Sequence, residues 1–200
     1  MRKFELTTDT KMFLGKKLFR IKALISFGNV RAGDAGGYIE KEENLSQSGN
    51  AWVFGDAKVS GDAWVYGDAK VFGNAKVSGN AKVFGNAKMS GDAWVYGNAW
   101  VSGNAEVYGN VWVYGNAWVS GNALVSGNAD YATASGFGSE YRTTTFFKLK
   151  NSDEIGVRCG CFYGTLKEFK EKVKETHGES KKAKEYLMLA DLMEYKFSEE

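Results

Sequence analysis

The chain has 200 residues, 44% of them apolar, which is enough for a continuous core and does not suggest disorder. A formal charge of +2 leaves no global field that would recommend nucleic acid or membrane as a partner. There are 25 glycines and no proline, and the glycines recur at a fixed period, which excludes a flexible linker and points to a repeat architecture.

The N-terminal stretch MRKFELTTDTKMFLGKKLFRIKALISF never runs more than a few apolar residues without a charge. Neither a secretory signal nor a membrane span is expected there, and the protein reads as cytoplasmic. Residues 3–26 predict two strands joined by a turn. Residues 27–48 contain degenerate Gly-Asn and Gly-Asp corners and predict irregular first coils, so 1–48 form a cap.

From Gly49 to Ala132 run fourteen consecutive hexads, nearly all of the form G-[ND]-A-x-V-[FYS], the last drifting to GNADYA. The A-x-V-[FYS] part alternates and predicts a four-residue strand with Ala and Val on one face. The G-[ND] pair predicts a sharp corner, because glycine adopts positive φ freely and Asn or Asp tolerates it best among the rest. Strands of four and corners of two leave no room for hairpins, so the coils must stack as parallel sheets.

This repeat resembles the hexapeptide left-handed β-helix, in which three hexads make one triangular coil of about 18 residues. The resemblance implies three sheets and a core of stacked valine and alanine, a little under five coils over residues 49–132.

Residues 18 apart then stack, and the outward slots can be mapped onto three faces. The first carries Trp52, Lys70, Lys88, Glu106 and Leu124; the second Lys58, Lys76, Trp94, Trp112 and Asp130; the third Trp64, Lys82, Trp100 and Trp118. All six tryptophans occupy this outward slot and none is assigned to the core. Trp94, Tyr96, Trp100, Trp112, Tyr114 and Trp118 are expected to form one contiguous strip over two faces. So much aromatic surface exceeds what monomers usually expose and marks a binding or oligomer surface. The rival expectations are ladders that serve the sheet alone, and cover by a terminal domain. Lys58, Lys70, Lys76, Lys82 and Lys88 gather in the earlier coils as a secondary surface. Lysines among aromatics can bind single-stranded nucleic acid. Here five lysines face five aspartates and one glutamate within the repeat, so solvated lysines are the expectation.

Residues 133–200 predict a C-terminal unit: strands in TTFFKLK and IGVRCGCFYG around the turn NSDE, then two helices. Thr165 and Glu168 form a capping-box pattern, Gly178 is a stop signal, and Ser180 to Phe197 reads as the second helix. Cys159 and Cys161, two apart, are expected on the same side of a strand as free thiols; their number excludes a disulfide framework. The fold class is thus mostly β: a left-handed parallel β-helix with a β cap and a small α+β unit.

The hexapeptide fold is known for acyltransferases with a histidine general base. The only histidine, His177, lies outside the hexads, and Glu106 stands without a second group to mark a site. No catalytic residue, metal or cofactor is expected: Cys159, Cys161 and His177 have no zinc spacing, and the glycine-rich stretches lack a phosphate-cradling pattern. Outward Thr-x-Thr rows of an ice-binding helix are missing too.

The flanks LFRIKALISFGNVRAGDAGGYIEKEENLS and TTTFFKLKNSDEIGVRCGCFYGTLKEFKEKVKETHG resemble those of a family of phage and prophage β-helical proteins, often labelled polymer-forming or transferase-like. The resemblance spans nearly the whole chain. It implies a non-catalytic accessory protein of the host bacterial cytoplasm, a counter-defence inhibitor that blocks a host defence protein such as a CRISPR effector. The alternatives are a self-assembling solenoid, a homodimer or homotrimer formed through the aromatic faces, a sponge for a signalling nucleotide, and a hexapeptide acyltransferase.

Overall fold

A computed structural model describes residues 1–138 and 140–198. Thirteen hexads each contribute a two-residue strand, from Trp52–Val53 to Leu124–Val125. The strands are shorter than the four residues expected, since the chain bends toward its corners on both sides of each pair. They stack in three parallel sheets, and residues 18 apart stand in register, as Trp94 with Trp112 and Trp100 with Trp118. Backbone bonds tie each coil to the next: Trp94 N–H donates to the Val111 carbonyl at 2.8 Å and Tyr96 N–H to that of Val113 at 3.0 Å. Hexad Ala and Val residues point inward and are buried, and each buried valine contributes roughly 1.5–3 kcal/mol.

Glycine alone supplies the corner. Gly91 has φ +67°, and a Cβ there would sit 2.8 Å from the Gly109 nitrogen, so conformation and space both demand glycine. The expectation that Asn and Asp share the left-handed region is corrected: outside glycine, only Leu14, Tyr141 and Asn151 adopt it among the described residues. The corner asparagines instead stack. Asn80 donates its amide to Asn98 at 3.0 Å and Asn98 to Asn116 at 3.1 Å, and a second row joins Asn86, Asn104 and Asn122.

Both ends of the solenoid are closed. The N-terminal hairpin pairs Phe4–Phe13 with Lys16–Ala23 and continues into Ala35–Ile39, which joins the second-face sheet beside Lys58–Val59. Leu45 bridges to Val65, completing an irregular first coil as expected. Buried Lys3 caps the open carbonyls, donating to that of Ala51 at 2.9 Å. At the other end the fourteenth hexad leaves the solenoid, which corrects the expected boundary at residue 132. Asn128–Asp130 form a 3₁₀ turn, and Tyr131–Ala134 pairs antiparallel with Thr144–Lys148. The physical reason is visible in the sequence: GNADYA puts Asp130 where the earlier strands begin and lacks the inward valine. Asp130 accepts from the Ser126 and Gly127 amides instead.

The C-terminal unit is a four-stranded antiparallel sheet, Tyr131–Ala134, Thr144–Lys148, Ile155–Cys159 and Phe162–Thr165, followed by α1 (Leu166–His177) and α2 (Lys181–Phe197). Thr165 caps α1 with Glu168 in a capping box, and Gly178 ends it at φ +56°. A second core of Phe146, Val157, Phe169, Tyr186 and Met193 joins helices to sheet. IGVRCGCFYG is two strands, not one. Cys159 pairs with Phe162 across a hairpin turn formed by Gly160 and Cys161, so the two cysteines do not share a strand side. No helix among the described residues is long and apolar enough to cross a membrane.

Candidate functional site

An outward side chain has no core to fill, so its surroundings are set by the coils above and below and by whatever the chain ends lay over it. Trp52 makes the point and corrects an expectation. It occupies the outward slot yet is only 1% exposed, because Phe4 and Phe27 pack edge-on against it at 6.2 and 5.3 Å. It belongs to the core.

The other five tryptophans lie in two ladders. On the third face the rings run continuously from Trp64 through Tyr66 at 4.1 Å, Phe84 at 4.8 Å and Trp100 at 6.1 Å to Trp118 at 4.9 Å. Lys82 lies over Trp100 at 4.9 Å, and Arg158 from the C-terminal hairpin covers Trp118 at 3.6 Å. On the second face Trp94 meets Trp112 edge-on at 6.0 Å, and Tyr96 stacks on Tyr114 at 5.5 Å. Phe13 of the N-terminal hairpin reaches Trp94 at 6.2 Å, and the Tyr131 hydroxyl donates to the Trp112 carbonyl.

Ring pairs among the described residues run within a face, and none crosses the corner from Tyr96 to Trp100. The expected single strip is therefore two ladders flanking an edge, and that edge is the amide row Asn80, Asn98, Asn116. Trp94, Tyr96, Trp100 and Trp118 are half-buried, whereas Trp112 and Tyr114 remain 48% and 53% exposed.

Half-burial comes with fixed orientation. The Trp94 indole N–H donates to Ser78 Oγ and that of Trp118 to Ser102 Oγ, both at 2.9 Å, pinning the rings along the solenoid. In each case the acceptor is the residue sixteen positions earlier. For Trp100 that position holds Phe84, which packs against it edge-on. Tyr66, Phe84, Phe13 and Arg158 join the ladders beyond the six side chains expected there. Tyr66 and Phe84 were legible, since they stand 18 apart in one slot; Phe13 and Arg158 arrive from long-range packing.

Electrostatics follow burial. Burial pushes the Tyr131 phenol up to about 12, with the Tyr114 and Tyr96 phenols adding to the rise. Burial also raises Tyr66 and lowers the Lys58 ammonium, the latter helped by Lys11 and Lys76. The five lysines do not form one patch: Lys70 and Lys88 lie on the first face, Lys58 and Lys76 on the second, Lys82 on the third. Lys88 pairs with Glu106 at 3.3 Å, and Lys76 lies over Trp94 at 5.9 Å.

Glu106 also holds Lys150 at 2.8 Å, and these bonds keep its carboxyl below the usual carboxylate range, opposite to what a general base at neutral pH needs. Cys159, Cys161 and His177 lie together on a cavity of about 610 Å³ between the last hairpin and α1. Cys159 accepts from the Thr144 hydroxyl at 3.2 Å, and His177 stacks on Tyr186 at 6.0 Å. Among the described residues no three His, Cys, Asp or Glu side chains are grouped as metal ligands. No protein-family model matches the chain, and no curated protein matches its sequence.

Proposed function

We propose that the protein is a non-catalytic binding protein that acts by occupying the surface of a partner protein through its two aromatic ladders. The observation that carries this reading is that Trp112 and Tyr114 stand half-exposed on the second face beside pinned neighbours. Rings already held by stacking and by Ser78 and Ser102 lose little freedom when a partner covers them. Large, rigid aromatic side chains of this kind are what interface hot spots are made of. The likeness of the flanks to phage proteins makes a bacterial defence protein, a CRISPR effector among them, the first class of target to test, with steric blockade in the host cytoplasm as the mode of action.

Closure of both solenoid ends weighs against end-to-end polymerisation, since Lys3, Asn128 and Thr145 already satisfy open backbone groups there. The test is capture of defence complexes from a lysate of a defended bacterium, and phage plating on the same host. Wild type is expected to bind a defence component and raise plating, and Trp112→Ser with Tyr114→Ser is expected to do neither. Failure of wild type in every defended host removes this reading.

A further inference from the structure

Helix α2 carries two apolar faces, and only one of them is used by the fold. Ala183, Tyr186, Ala190 and Met193 are buried in the C-terminal core. On the opposite side Met188, Leu192 and Tyr195 stand 73%, 57% and 82% exposed. Spaced four and then three apart, they form one stripe along the helix.

The charges beside the stripe are arranged for a particular neighbour. Glu185 borders it near the N-terminal end, with Lys181 at 3.9 Å, and Lys196 borders it near the C-terminal end, resting over its own neighbour Phe197. The first turn of α2 holds no acid, and its lysines Lys181, Lys182 and Lys184 oppose the helix dipole. A neighbour that suits this surface offers apolar groups at the centre, a base opposite Glu185, an acid opposite Lys196 and the negative end of a helix beside the lysines. The same helix, turned end for end, offers all four.

We propose that α2 is the interface for a second copy of this chain, packed antiparallel about a two-fold axis near Leu192. Such an interface must be self-complementary. With the axis between Asp191 and Leu192, Met188 faces Tyr195, the two Leu192 side chains lie beside the axis, and Glu185 stands two residues, about 3 Å along the helix, from the level of Lys196 in the second copy, within reach of that long side chain on both sides of the axis. A parallel pair would set Glu185 against Glu185 and Lys196 against Lys196, so charge selects the antiparallel arrangement. The stripe would bury on the order of 400 Å² per copy, about half of what a standard interface covers, so the dimer is weak and concentration-dependent. The pair leaves the second and third solenoid faces free.

Sedimentation of the full chain over a wide range of concentrations tests this. Wild type is expected to pass from monomer to dimer. Leu192→Glu should weaken association by about tenfold or more with an unchanged circular dichroism spectrum, because the side chain is exposed. Lys196→Glu should also weaken it, and adding Glu185→Lys to that variant should restore it by swapping the pair. Trp112→Ser with Tyr114→Ser should leave the dimer intact, which keeps this inference separable from the binding function. A wild type monomeric throughout, a dimer indifferent to Leu192→Glu, or a dimer lost only with the aromatic variant overturns the proposal.

Discussion

Trp52 and Trp112 fill the same slot of two hexads near opposite ends of the solenoid, and one is core while the other is surface. At the first coil the chain folds back, so Phe4 and Phe27 close over Trp52, and the Lys3 ammonium lies over the Phe27 ring at 5.0 Å. At the last coils the C-terminal sheet reaches the third face, where Arg158 covers Trp118, whereas Asn128 and Tyr131 hydrogen-bond the Trp112 backbone and leave that residue 48% exposed. The slot fixes which way a side chain points. What covers it is decided by segments distant in sequence.

Truncation should separate the two ends most strongly. Trp52→Ala is expected to cost about 3–5 kcal/mol in denaturant unfolding, the usual range for an emptied core site, and Trp112→Ala no more than about 1 kcal/mol. Equal losses would dissolve the distinction between core and surface tryptophans.

Acid and base should tell the ends apart next, in separate pH windows. Burial lowers the Lys3 ammonium to about 8, below its ordinary value. Above pH 8 the unfolded chain therefore holds a proton that the folded chain has lost, and stability rises with pH until the unfolded lysine also titrates. The slope is at most about 1.4 kcal/mol per pH unit, and Lys3→Met should flatten it. Glu106 at the far end is lowered by Lys150 and Lys88, so its contribution is present at neutral pH and lost as pH falls through its depressed folded value. Glu106→Gln should blunt that acid loss and leave the alkaline rise untouched.

Serines in one outward slot sharpen the comparison further. Ser102 accepts the Trp118 indole N–H, whereas the buried Ser120 hydroxyl has no partner among the described residues, the chain leaving the solenoid before another coil stacks on that face. Ser102→Ala should cost about 1 kcal/mol and shift tryptophan emission, while Ser120→Ala should be neutral or stabilising in the same unfolding experiment. The smallest effect belongs to Lys82 over Trp100: Lys82→Ala is expected to cost about 0.5 kcal/mol and change the emission slightly.

The solenoid was legible because each hexad repeats one solution to one local problem. Register, faces and core could be written down from the 18-residue spacing, and the helix caps at Thr165 and Gly178 from local chemistry. The burial of Trp52 is not legible locally because its cover comes from residues far away in sequence, and the two-face strip divides because the bend at the corner turns adjacent rings apart. The Cys159–Cys161 turn is hidden because alternation alone does not distinguish a long strand from a tight hairpin centred on glycine. Of the candidate site, the ring positions were readable; their exposure, which decides function, was not.

Recognition of a host protein by the half-exposed pair Trp112 and Tyr114 on the second face is the proposed function. Phage plating on a host with an active CRISPR defence, with wild type or Trp112→Ser/Tyr114→Ser protein expressed at equal level and equal folded fraction, tests it most directly. Wild type is predicted to raise plating and the double variant to fail. A double variant that protects the phage as well as wild type does would contradict the account.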